Sequence, residues 1–147
     1  MLGKWKSFCV FALSALLSVG FLLGVRMLSL CRLSALAGAR TFYLDATSSQ
    51  ALRSNEITLT NFHRIRGESV RFERLLEKSA EEIAMETLAL YGAELLFCES
   101  ACGVQSFYAF SPELFQGVCV KGRIVNLHIA VSEKGVAVGS PMIFDGF

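Results

Sequence analysis

Apolar and polar positions are arranged differently in the first 40 residues and in the rest of the chain. From Ser7 to Val25 there are 19 uncharged residues, mostly Phe, Leu, Ala and Val. At 1.5 Å rise per residue, such a helix just spans a hydrocarbon layer of roughly 30 Å. Beyond residue 40 the pattern shortens. Phe42–Ala46 alternates as a first strand, Ser48-Ser49-Gln50 is turn-like, and Ile57–Thr60 alternates again. Phe62–Ile65 extends that second strand, and Gly67 interrupts before a short strand at Ser69–Phe72.

Leu76, Ala80, Ile83, Thr87 and Leu90 then recur at spacings of three and four, which predicts an amphipathic helix stopped at Gly92. The remainder reads as β: Ala93–Glu99, Val104–Ser111, a hairpin of Val118–Val120 and Arg123–Val131 around Lys121-Gly122, and Val136–Gly139. In the long strand Val125, Leu127, Ile129 and Val131 share one face, with Asn126 and His128 on the other. The predicted class is α+β, one main helix on an antiparallel sheet, preceded by a single N-terminal transmembrane or signal helix. The predicted organisation is a leader over residues 1–40 and a domain over residues 41–147.

Composition sharpens the division. The first 40 residues hold 26 hydrophobic positions and carry Lys4, Lys6, Arg26, Arg32 and Arg40 with no acid. Residues 41–147 hold 9 Lys and Arg against 13 Asp and Glu, so the overall charge of +1 joins a basic leader to an acidic domain. An acidic domain is a poor start for nucleic-acid binding, which draws its affinity from neutralising phosphates. Disorder, collagen, coiled coil and a polytopic membrane protein are excluded by the same composition.

A basic start followed by an apolar run is how an export signal begins. The run is longer than an ordinary signal core, and the small-x-small triplet Ala35-Leu36-Ala37 lies well beyond it. An uncleaved signal anchor through residues 7–25 is therefore favoured over cleavage near Ala37. The early Lys pair places the domain on the extracytoplasmic side, although Arg26, Arg32 and Arg40 nearly balance it. Leu28-Ser29-Leu30-Cys31 matches a lipoprotein acylation site only loosely.

Chemistry is sparse. Cys98 and Cys102 sit at a strand end and the next turn, a pair that a disulfide or simple burial explains equally well. With Cys119 the domain has three cysteines, so one stays unpaired or pairs between chains. His63 and His128 are the only histidines, and neither has metal-ligand spacing to a partner. Cys102 with His128 is conceivable as nucleophile and base. No nucleotide, zinc-protease or serine-hydrolase motif occurs. Glu73, Glu77, Glu81, Glu82 and Glu86 read as a solvated helix face. His63-Arg64-Ile65-Arg66 with Arg71 and Arg74 forms one basic patch, diluted by Glu68, Glu73 and Glu77.

Four stretches carry a family resemblance: Ser48–Leu52, Gly67–Val70, Phe107–Pro112, and Val125–Val131 followed by Gly139–Phe144. Together they resemble the YwmB-like proteins of Firmicutes, small exported or anchored proteins of spore-forming bacteria, automatically labelled TATA-box binding protein. The resemblance spans roughly residues 41–147 and implies a link to sporulation, but no catalytic residue, metal or cofactor. The acidic domain charge argues against the label's literal sense, since a DNA-binding sheet needs a basic face. The sequence thus points to a membrane-anchored, extracytoplasmic, non-enzymatic domain that binds a protein or envelope partner and no nucleic acid. Its expected partner face is Tyr108, Asn126 and His128. A small enzyme using Cys102 or His128 is the alternative, and a DNA-binding protein the third reading.

Overall fold

The computed structural model describes residues 2–74 and 77–146, with the side chains of residues 2–8 and 26–29 outside the description. The chain divides into two compact units, Met1–Cys31 and Arg32–Phe147. The first unit is one helix, α1 (Leu2–Leu30).

Among the described residues no helix is long and apolar enough to cross a membrane. The expected membrane anchor over residues 7–25 is corrected accordingly. The membrane as a partner and the extracytoplasmic placement rested on that anchor, and both fall with it. Ser7, Lys4, Lys6 and Arg26, used for the anchor and its orientation, have side chains outside the described residues.

The second unit begins earlier than the composition suggests. Leu33 is fully buried and Leu36 packs against the same core, so cleavage near Ala37 would remove both. The strands are β1 (Ala39–Leu44), β2 (Leu52–Ser54), β3 (Ile65–Phe72), β4 (Glu94–Ala101), β5 (Val104–Phe110), β6 (Val118–Val120), β7 (Arg123–Val125), β8 (Leu127–Ser132) and β9 (Gly135–Ser140). Seven of them form one sheet in the order β2-β1-β3-β9-β8-β5-β4, antiparallel throughout, and β6 with β7 forms a separate hairpin.

Helix α2 (Ala80–Leu90) covers one face. Ser79 caps it: the Ser79 hydroxyl accepts from Glu82 N–H, and the Glu82 carboxylate accepts from Ser79 N–H. Ala80, Ile83, Ala84 and Leu88 pack on Phe107, Leu127, Ile129, Val131, Val136 and Val138. Leu90 of the expected stripe is half exposed, and Leu76 lies outside the described residues. On this helix face Glu68 is wholly buried. Its carboxylate accepts from Leu33 N–H and from Arg40 Nη1 at 2.9 Å, while Arg40 Nη2 donates to the Leu33 and Leu36 carbonyls. Burial pushes the Glu68 carboxyl up, opposed by the Leu33 and Arg40 contacts. The pair therefore fixes the entry segment to the sheet.

Three strand expectations change. Residues 57–60 form no strand; the Asn61 side chain accepts from Thr58 N–H and donates to Glu56 O, holding a loop instead. Phe62–Arg64 is a 3₁₀ turn. The long strand predicted through residue 131 breaks at Asn126, whose side chain joins Ser111 N–H, Ser111 O and Leu114 O at 2.7 Å each.

Candidate functional site

Helix α2 leaves the opposite, outer face of the sheet to be built from alternate residues. Phe97, Tyr108, His128, Gly139, Ser69 and Thr41 are successive register partners across it. Three of them stack: Phe97 on Tyr108 with centroids 4.6 Å apart, and Tyr108 on His128 at 4.4 Å with planes 8° from parallel. Such stacked aromatic pairs contribute about 0.5–1.5 kcal/mol each beyond their buried area.

At Gly139 the ladder has no side chain, and backbone takes its place. A Cβ at residue 139 would lie 2.6 Å from Ile143 N, and one at Gly67 would lie 2.8 Å from Pro141 Cδ and Ser140 O. Glycine inside two strands costs stability but lets another stretch of backbone approach. That stretch is residues 141–146, which turn back after β9 and lie on the outer face.

Tyr43 is its main anchor. This fully buried phenol donates to the Asp145 carboxylate and accepts from Ser69 Oγ (2.9 Å) and Phe144 N–H (3.3 Å). Burial, then the bond it donates to Asp145, pushes its pKa up to about 12. The Phe144 ring stands edge-on to Tyr43 at 5.1 Å. Arg71 completes the seat, reaching Asp145 Oδ2 at 3.0 Å and donating to Gly146 O at 2.8 Å.

His128 borders this seat. Its Nδ1 accepts from Ile143 N–H at a long 3.4 Å, which leaves the ring proton on Nε2. That Nε2 is buried and has no hydrogen-bond partner, and the residue is 7% exposed. An unpaired buried donor costs about 1–3 kcal/mol. Burial lowers the pKa of His128 to about 4, with Glu99 acting weakly the other way, so the ring is neutral near pH 7.

The structure gathers the expected site residues only in part. Tyr108 and His128 share the outer face, Tyr108 half-buried and His128 buried. Asn126 is 1% exposed and clamps the Ser111–Leu114 loop, so it does not belong to an open face. Cys98 and Cys102 are both free and exposed. With β4 extended through Ala101 their Cα atoms stand about 13 Å apart at 3.3 Å per residue, beyond the roughly 7 Å limit for a disulfide. Cys102 occupies a two-residue turn at φ +52°. Tyr108, the register partner of His128, lies six residues further on, which sets Cys102 about 20 Å from that histidine. The two cannot act as nucleophile and base. Among the described residues no three His, Cys, Asp or Glu side chains converge to hold a metal. The basic patch is divided: Arg64 pairs with Asp45 and Arg71 with Asp145.

Sequence reading missed Tyr43, Phe144 and Asp145 as a group. The available signal was the glycine inside each of two strand-like runs, which marks close backbone approach. No family model, no curated protein and no solved structure matches the chain.

Proposed function

We propose that residues 32–147 form a recognition module that works by contact, taking an extended stretch of polypeptide on the outer face of its sheet. The observation that carries this reading is the seat itself: Gly67 and Gly139 clear the floor, and Tyr43, Arg71 and His128 meet the backbone and side chains of residues 141–146. Neutral polar and aromatic groups suit such recognition, because they bury area without desolvating many charges. We also read the domain as YwmB-like. In support, two of the four stretches that carry that resemblance, Gly67–Val70 and Val125–Val131 with the following Gly139–Phe144, meet at this face.

A photo-crosslinking side chain at Tyr108, beside the seat, tests the reading against one at exposed Met85 on α2. Polypeptide adducts in cells from position 108 and not 85 are the expected result. Equal yields from both, or adducts only to nucleic acid, would overturn it.

A further inference from the structure

Residues 141–146 occupy the seat unevenly, with Pro141 fully buried and the residues after it less so. Their one bond to His128 is the 3.4 Å contact from Ile143 N–H, and the buried Nε2 donor of the same ring is left without a partner. Met142, Ile143, Phe144 and Asp145 are only half-buried where they lie. By contrast, the contacts to Phe144 and Asp145 are specific. An aromatic ring meets Tyr43 edge-on, and the carboxylate of the next residue is shared by the Tyr43 hydroxyl and the Arg71 guanidinium. Backbone is read too: Phe144 N–H donates to the Tyr43 hydroxyl, and Arg71 donates to Gly146 O.

We infer that residues 141–146 are an intramolecular stand-in, and that the seat's ligand is a segment of another protein carrying an aromatic residue followed directly by an acidic one. This rests on the recognition-module reading and names its partner class. The chain's own segment competes for the seat by proximity: tethered one residue beyond β9, it holds a high effective concentration against any free peptide. A partner segment prevails by making the aromatic and acidic contacts more fully than the half-buried internal segment does. Charge complementarity points the same way, since Arg71 is the cation that meets the acid.

The probe is a fluorescein-labelled peptide, Pro-Met-Ile-Phe-Asp-Gly, titrated into the full chain. Wild type is expected to bind it weakly. The double variant Phe144→Ala/Asp145→Ala, with the internal segment weakened, should bind at least tenfold tighter. Adding Arg71→Ala should abolish that gain, and a peptide with Asn in place of Asp should lose it. Should the double variant not fold, Asp145→Asn alone gives the same comparison with a smaller gain. Folded variants that bind no better than wild type would overturn the inference. So would a concentration-dependent wild-type dimer that dissociates in the double variant, because the occupant would then be a second copy. Specific adducts at position 108 alongside failed peptide binding would remove the aromatic–acidic assignment and leave the module reading standing.

Discussion

Tyr108 and His128 face each other across β5 and β8 with their rings 4.4 Å apart and nearly parallel. The pairing presses the imidazole flat against another ring and keeps water from it, while the Ile143 amide fixes which nitrogen carries the proton. One histidine thereby links the aromatic ladder of one half of the outer face to the backbone that covers the other half.

This coupling makes stability depend on pH. Below the ordinary histidine value of 6.5 the unfolded chain takes up a proton that folded His128 refuses until about pH 4. Stability therefore falls as pH falls through that window, by about 3 kcal/mol in all. Urea unfolding of wild type and His128→Phe between pH 7 and pH 4 should show the slope in wild type and its loss in the variant. Parallel curves would mean that His128 titrates normally.

Gly139→Ala places a methyl group where Ile143 N and Met142 C now lie 2.6 Å away. The expected cost is about 1–3 kcal/mol from overpacking. Faster proteolytic cleavage within residues 141–146 should accompany it, with the core amides still protected from exchange.

Asn126→Ala strips three hydrogen bonds from the Ser111–Leu114 loop, whose two end residues are buried. Leaving those backbone groups unsatisfied should lower stability by about 3 kcal/mol. Asn126→Asp should also destabilise, since a carboxylate cannot donate to the Ser111 and Leu114 carbonyls. Thermal melting of both variants checks this.

Ser79→Ala removes the side-chain cap of α2 and should cost about 1 kcal/mol. The loss should appear in unfolding free energy while the outer-face contacts remain as they are.

The elements legible in the sequence are those set by local periodicity. Ile83, Ala80, Leu127, Ile129 and Val131 lie in the core because spacings of three to four and of two fix which side faces inward. The Lys121-Gly122 turn is also legible from its glycine, whereas the connection expected over Ser100–Gly103 tightens to two residues because β4 runs on through Ala101. What stayed hidden depends on distant partners. Asn126 sits in a strand-like run, and its break appears only once the Ser111 loop is there to accept it. Gly67 looks like an interruption, yet β3 continues through it with a register shift beside it, and the glycine makes room for Pro141 and Ser140. The anchor expectation failed for another reason: an uncharged run gives a length and a composition, neither of which specifies a bilayer.

The position of β9 has a consequence for biosynthesis. Gly135–Ser140 lies between β3 and β8, joining β2-β1-β3 to β8-β5-β4. A chain emerging from the ribosome amino end first can pair each trio on its own, but each then presents an open edge, β3 on one and β8 on the other. Insertion of β9 closes both edges and delivers Gly139 opposite His128 in the same event. The outer face therefore has no half-made version: until the last central strand arrives, the nascent chain holds two unjoined fragments and neither carries a complete seat.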